Sequence, residues 1–192
     1  MLDTQTLAQL VFDAFTQKIT WHEASARYPV TEYIEAVRNL RAGFTRLLDG
    51  LSDAQVAYAD PNNPMWSLSE TVTHLIYSQN FYYNQLLEIT TSQLPHLTEA
   101  ARGFGEGAQQ NLPADQLRAM LKDATQQIET AIAETLPRFD TEIVKRHSIF
   151  GEVTYATWIF LLMAHELDHY RQSVVMRRLA RTAPSGERGD HG

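Results

Sequence analysis

The segment from Trp158 to Leu179 reads WIFLLMAHELDHYRQSVVMRRL and determines how the rest of the chain is interpreted. Taken at alternating steps of four and three residues, it predicts a helix face made of Trp158, Leu162, His165, His169, Gln172, Met176 and Leu179. Apart from the two histidines, this face is apolar or carries an amide, which is typical of the buried seam of a bundle helix. His165 and His169 are four residues apart and point the same way. Burying two imidazoles in register requires a reason, and a shared metal ion is the most economical one.

Composition limits the classes of protein to consider. The 192 residues are 44% apolar, enough for one core, so we predict a single domain over residues 1–181. The net charge is −7 and no basic run exceeds two residues, so no nucleic-acid partner is expected. There is no cysteine, which leaves His, Asp and Glu to bind any metal. The N-terminus lacks a signal-peptide pattern and no apolar run approaches the ~20 residues of a membrane span, so we expect a cytoplasmic protein with no membrane partner.

The apolar periodicity predicts five helices. A short N-terminal helix covers residues 4–18. The next helix begins at Thr31 as its cap and ends around Asp49-Gly50. Ser67 opens the third, with Glu70 three residues later in the capping-box pattern. A fourth starts at residues 111–113, and the opening segment forms the last.

No strand pattern of convincing length is present. The fold class is therefore all-α, a four-helix bundle over residues 31–181 with an extra short N-terminal helix. A long loop over residues 90–111 interrupts the bundle, and residues 182–192 are expected to form a disordered tail.

His74 is the best third ligand, because zinc, nickel and similar ions need three or four and two histidines on one helix need help from another. Counted from the start of its own helix, His74 lies about as far along as His165 does, so the two can meet if the second and fourth long helices run parallel. If these helices ran antiparallel, the same spacing would keep the two histidines apart. Three protein ligands and one open position are typical of catalytic metals. A fourth protein ligand, such as His147 or a carboxylate, would instead favour a structural metal.

Acidic residues near the histidines are candidates for supporting roles. Glu166 and Asp168 are candidate proton acceptors. Glu70, Glu166 and Asp168 are also candidate hydrogen-bond partners for the imidazole N–H groups. Residues 165–169, HELDH, also match the H-E-x-x-H pattern of zinc peptidases, in which the Glu is the general base. That interpretation lacks a downstream third ligand and a strand edge to hold a peptide, so we do not favour it.

Two stretches together resemble a known superfamily. Residues 66–75, WSLSETVTHL, resemble the "W-S-x-x-E-x-x-x-H-L" opening of the second helix in the DinB/YfiT-like metalloenzymes. Residues 165–172, HELDHYRQ, are similar to the "H-x-x-x-H-x-x-Q" run on that superfamily's fourth helix. Their order and separation also fit, and the helical pattern extends the resemblance over roughly residues 31–181.

The resemblance implies a four-helix bundle in a mirror variant of the up-and-down arrangement. It also implies one divalent metal ion per chain, zinc or nickel, bound by His74, His165 and His169, and a homodimer. Activities in the superfamily include S-transfer with low-molecular-weight thiols such as bacillithiol or mycothiol, an isomerase relative, and many members labelled hydrolases. The expected function is thus a metal site that activates a water or a small thiol for hydrolysis or S-transfer on a small-molecule substrate.

Two other interpretations stay open. The bundle could be non-catalytic, with a structural metal or a pocket that binds a ligand or a partner chain. It could also contain no metal, with three histidines that are merely hydrogen-bonded. The segment before residue 31 lies outside the match, and it either caps the site or mediates dimerisation.

Overall fold

The computed structural model describes residues 2–62, 65–89, 111–136 and 143–182, with the backbone alone for residues 80–89 and 134–135. The predicted loop over residues 90–111 lies outside these ranges apart from Asn111. The predicted tail over residues 182–192 lies outside them apart from Thr182. Thr182 is the last residue of a helix, so helical structure continues one residue into the predicted tail.

The described chain is mostly helical, which confirms the all-α prediction. Its elements, in order, are α1 (Thr4–Phe15), α2 (Trp21–Ser25), α3 (Val30–Leu48), α4 (Asp53–Val56), α5 (Leu68–Ile89), α6 (Ala114–Thr135), β1 (Lys145–His147), β2 (Gly151–Val153) and α7 (Tyr155–Thr182). The N-terminal helix ends at Phe15, three residues before the predicted end, and α2 and α4 are additional short helices.

The helix starts show which local signals were interpreted correctly. Thr31 was predicted to cap α3, but this was wrong: α3 begins at Val30, and Pro29 occupies the cap position with φ of −57°. Pro29 has its φ fixed near the helical value and its missing N–H would be unpaired at a helix start anyway, so the helix can begin immediately after it, ahead of Thr31. The end of α3 agrees with the prediction, because Gly50 adopts φ of +69° just beyond it.

The capping box at the start of α5 is confirmed. The Ser67 N–H donates to Glu70 Oε2 at 2.9 Å, and the Glu70 N–H donates to Ser67 Oγ at 3.1 Å. Two backbone donors that a helix start would leave unsatisfied are thereby paired. This box fixes where α5 begins and hence how far along the helix His74 lies.

A small β-hairpin precedes α7. β1 and β2 pair antiparallel, with Lys145 opposite Val153 and His147 opposite Gly151. Each strand has three residues, too few for an alternating pattern to be recognised in the sequence. Val153 is fully buried and anchors the hairpin to the core at the start of α7.

Four polar contacts give the direction of α3 relative to α7 and α6. Arg41 contacts Glu166 near the middle of α7, and Arg177 Nη1 donates to the Arg46 carbonyl further along both helices, so α3 and α7 are parallel. Between α3 and α6 the order is reversed. The Leu48 carbonyl accepts from Arg118 at 2.8 Å, whereas Arg38, earlier in α3, lies 3.5 Å from Glu129, later in α6.

The two middle helices of the bundle run in the same direction. Ser69 Oγ donates to the Leu112 carbonyl at 3.3 Å, and Gln79 Nε2 donates to the Ala124 carbonyl at 3.2 Å, so contacts advance together along α5 and α6. The order of directions in α3, α5, α6 and α7 is therefore up, down, down, up. This differs from the simple alternation of an up-and-down bundle.

The predicted parallel arrangement of α5 and α7 was wrong. Trp66, just before α5, stacks on His169, whereas His74, further along α5, contacts His165, which is earlier in α7. The helices are antiparallel, yet the histidines meet because the helix ends are not flush. α7 has 28 residues against 22 in α5, and the start of α5 lies beside the middle of α7. Spacing gives depth along each helix but not the axial offset between them.

The core consists of two apolar clusters stacked along the bundle. One joins α1, α2 and the N-terminal half of α3 to the N-terminal half of α7. The other joins the C-terminal half of α3 to α4, the start of α5 and Met176 of α7. Tyr170 packs against both clusters. No helix in the described ranges is both long enough and apolar enough to cross a lipid bilayer.

Candidate metal centre

The structure brings together the three histidines singled out in the sequence. His74 comes from α5, and His165 and His169 come from α7; each offers one ring nitrogen, and these atoms lie within 4.8 Å of one another. Nε2 of His74 and Nε2 of His165 are 3.1 Å apart. Two nitrogens on a tetrahedral zinc ion, with bonds of about 2.0–2.1 Å, would be roughly 3.3 Å apart. This pair therefore already has nearly the spacing that one shared ion requires.

The residues around the three rings hold them in place. Trp66 stacks on His169 with ring centroids 5.6 Å apart and an interplanar angle of 12°. The same indole lies 4.7 Å from the His74 ring. Ser78 Oγ, one turn after His74 on α5, is 3.1 Å from His74 Nε2. Trp66 thus covers two of the three imidazoles.

The surroundings keep the three imidazoles neutral. Burial lowers the pKa of His74 to about 4, assisted by the charge that His169 would carry. Burial likewise lowers the pKa of His165 to about 3, with smaller contributions from His169, His74 and Arg41. The pKa of His169 is also lowered by burial, although Asp168 and Gln172 act in the opposite direction. Neutral imidazole is the form that binds metals, so no proton has to leave near neutral pH.

One buried atom supports the fit to a metal ion. Among the described residues, His169 Nδ1 is buried and has no hydrogen-bond partner. An unsatisfied buried polar atom is costly, and a bound ion or water beside it is a common explanation. Neutral imidazoles also suit zinc and nickel as a donor set.

Glu166 is engaged elsewhere. It is fully buried, and its carboxylate accepts hydrogen bonds from Arg41 Nε at 2.9 and 2.8 Å and from Arg41 Nη2. Arg41 is itself buried, so the two residues form a buried ion pair between α3 and α7. Sequence reasoning missed Arg41. The only available signal was its position four residues after Val37, beside the apolar stripe of α3, where charged residues usually reach solvent.

The other carboxylates proposed for supporting roles lie in different settings. Asp168 is exposed and accepts a hydrogen bond from Gln172 Nε2 at 2.9 Å. It is close enough to His169 to favour the charged form of that ring. Glu70 belongs to the capping box of α5. Asp168 is therefore the acidic residue best placed to act on the histidine cluster.

This geometry does not favour the zinc-peptidase interpretation. In H-E-x-x-H peptidases the Glu must act on the water at the metal, but the Glu166 carboxylate is held by Arg41. The only sheet in the described residues is the hairpin of three-residue strands. The HELDH stretch is better explained as two metal-type histidines flanking a structural glutamate.

His147, the candidate fourth ligand, belongs to the hairpin. Its Nδ1 accepts from the Ile149 N–H at 3.1 Å, and its ring lies 5.0 Å from Phe150 and 6.0 Å from Trp158. Within the described ranges, only His74, His165 and His169 form a group suited to a metal ion. The fourth protein ligand that a structural metal would favour is not found there.

A family model described as the DinB superfamily matches residues 36–173, more than half of the chain. The match includes all three histidines, Arg41 and Glu166, whereas α1, α2 and the start of α3 precede it. Comparisons with curated proteins and with solved structures gave no match.

Proposed function

Because the chain belongs to the DinB superfamily, we propose that it is a metal-dependent enzyme in which His74, His165 and His169 hold one zinc or nickel ion per chain. The ion, when bound, would lower the pKa of a coordinated water or low-molecular-weight thiol and polarise a small-molecule substrate. The proposed reaction is hydrolysis or S-transfer.

One observation carries this proposal: three neutral imidazoles with ligand atoms within 4.8 Å of one another, and no fourth protein ligand among the described residues. A structural zinc site is normally closed by four protein ligands, whereas a catalytic site keeps a position for water or substrate. The geometry therefore supports a catalytic ion better than a structural one.

Two neighbouring carboxylates have different proposed roles. Asp168 is exposed at the cluster, and we propose it as the proton acceptor. Glu166 would act as a positioning residue, because its ion pair with Arg41 fixes the turn of α7 that carries both histidines.

The first experiment is elemental analysis of the protein purified without a histidine tag. We expect about one zinc or nickel ion per chain in the wild type and none in His74→Ala. His22→Ala is the control, because His22 lies on α2 outside the cluster and its loss should leave metal content unchanged. A folded wild-type protein that stays metal-free after reconstitution with zinc and with nickel would sink the proposal.

Activity assays then separate the enzyme from a non-catalytic bundle. The metal-loaded protein would be screened against small esters and against electrophiles with added thiols, with the metal-free protein as the reference. Turnover that requires both metal and thiol indicates S-transfer, and turnover that requires metal alone indicates hydrolysis. We also propose a homodimer, as the resemblance implied, which light scattering of the purified protein would check.

A further inference from the structure

A second feature adjoins the histidine cluster. A cavity of about 570 Å³ lies between α1, α2, the turn of the hairpin and one face of α7. This volume is within the range of about 300–1,000 Å³ typical of small-molecule sites. His165 lines the cavity and also belongs to the metal-type cluster. A molecule in the cavity would therefore contact a residue of the candidate metal centre.

The walls of the cavity are mainly aromatic and aliphatic. Phe15 meets Trp21 edge to face at 5.6 Å, and Trp21 meets Phe150 in the same way at 6.2 Å. Phe12 and Phe15 line the cavity yet remain 54% and 73% exposed. Large apolar side chains left in contact with water beside a concave surface are typical of a binding site.

One charged group at the cavity has no partner. Arg171, on α7, lines the cavity and is exposed. In the ranges that the structure describes, it forms no ion pair or hydrogen bond, whereas the Asp168 carboxylate, which also lines the cavity, accepts a hydrogen bond from Gln172. A guanidinium group with free donors is well suited to a carboxylate, sulfonate or phosphate group.

We infer that this cavity binds a small molecule with an aromatic or apolar body and one anionic group. The apolar body lies among Phe12, Phe15 and Trp21, and the anionic group pairs with Arg171. The helix α1 precedes the family match and supplies one wall of the cavity. The N-terminal segment thus caps the site and selects its ligand. The assignment of this cavity as the substrate pocket rests on the proposed function, because it is linked to the metal centre through His165 and the proposed proton acceptor Asp168. The inference that the cavity binds a ligand does not depend on that function.

The test uses 1-anilinonaphthalene-8-sulfonate, an aromatic anion whose fluorescence rises in apolar sites. Titration of the full chain should show one saturable site. Ala8→Phe, which places a ring in the cavity, should weaken binding at least tenfold. Gln9→Phe is the matched control, since Gln9 is the next residue of α1, is exposed and does not line the cavity. Circular dichroism and thermal melting of each variant exclude dye binding to unfolded chains.

A second variant guards against misfolding of Ala8→Phe. Phe15 is mostly exposed, so Phe15→Ala should leave the fold intact while weakening the dye several-fold. Wild-type protein without saturable binding, or wild-type affinity in both Ala8→Phe and Phe15→Ala, would overturn the inference. Affinity that falls as protein concentration rises would assign the cavity to a second copy of the chain and would also overturn it.

The anionic part of the inference has its own test. N-phenyl-1-naphthylamine has the same ring system without the sulfonate. Arg171→Gln should weaken the sulfonate dye about tenfold and leave the neutral dye unchanged. Equal effects on both dyes would rule out the pairing with Arg171.

Metal content separates this inference from the proposed function. His74→Ala should lose metal and retain dye binding, because His74 does not line the cavity. A wild type that stays metal-free after reconstitution but binds the dye would contradict the proposed enzyme and uphold the cavity. A metal-loaded wild type that fails to bind the dye would contradict the inference about the cavity and leave the proposed enzyme standing.

Discussion

The Arg41–Glu166 ion pair determines how single residues at the centre of the bundle respond to mutation. Both side chains are almost completely buried, at 1% and 0% exposure. Arg41→Met leaves the Glu166 carboxylate buried without its counter-ion, and removal of one partner of such a pair typically costs about 3–5 kcal/mol. We expect a loss of this size in the free energy of unfolding, measured by urea denaturation.

Two further variants test whether the buried charge is the cause. Arg41→Met combined with Glu166→Leu should recover most of the loss, because no uncompensated charge remains. Arg38→Met is the surface control: Arg38 pairs with Glu35 and Glu129 at about half exposure, where ion pairs contribute roughly 0–1 kcal/mol. A double variant no more stable than Arg41→Met would contradict this explanation.

Gly43 is a position where a single methyl group matters. A Cβ added there would lie 2.7 Å from Cε2 of Tyr170, the residue that packs against both apolar clusters. Gly43→Ala should therefore force the ring to move, at a cost of about 1–3 kcal/mol. Chemical denaturation measures this cost. In a Tyr170→Leu background the same substitution should cost much less, and equal costs in the two backgrounds would exclude a clash with the ring.

At the scale of residues, the sequence predicted the histidines but not the ion pair. His165 and His169 occupy seam positions where apolar residues were expected, and His74 lies beside the stripe of α5, so spacing alone was informative. Arg41 also lies beside a stripe, but a long charged side chain there can either reach water or turn inward. The choice depends on Glu166, 125 residues later, and no local pattern contains that information.

At the scale of elements, the start of α5 controls the site, because the capping box fixes the helix that carries His74. Ser67→Ala removes the Oγ that accepts from the Glu70 N–H and should destabilise the fold by about 1 kcal/mol. It should also weaken zinc binding, measured by competition with a chromophoric chelator.

The matched control is Ser52→Ala, which removes the same type of cap from α4. Its effect on stability should be smaller, because Ser52 is exposed whereas Ser67 is buried and also donates to Asn111. Zinc affinity should be unchanged, because α4 carries none of the three histidines. Equal loss of zinc affinity in both variants would mean that general destabilisation, not the position of α5, is responsible.

The elements also show the limit of prediction from spacing. Helix faces and the Ser67 cap are encoded locally, and both were predicted. The antiparallel arrangement of α5 and α7 depends on how far one helix slides past the other, which is decided by the packing of whole faces. Three-residue strands such as β1 and β2 leave no periodic signal.

At the scale of the whole molecule, the histidines make the stability of the metal-free protein depend on pH. Their ordinary pKa is 6.5, and burial lowers it to about 4 in His74 and about 3 in His165. Above pH 6.5 the rings are neutral in both the folded and the unfolded chain, so the histidines do not lower the free energy of unfolding there. As pH falls below 6.5, the unfolded chain binds protons that the folded chain does not, so stability decreases down to the folded pKa values.

Thermal melting of the metal-free protein between pH 8 and pH 4 checks this prediction. The melting temperature should fall below pH 6.5 in the wild type and fall less steeply in His165→Gln, which has no imidazole to protonate. Identical slopes in wild type and His165→Gln would contradict the assignment to the cluster.

The position of α7 has a consequence for the order of events during synthesis. This last described helix packs against α1, α2, α3, α4 and α5. Among the described residues, most contacts between elements therefore join segments made early to one made late. Until α7 leaves the ribosome, α1, α2, α3, α4 and α5 lack the helix that they all pack against. Folding can therefore complete only after translation has passed the helix that carries His165 and His169.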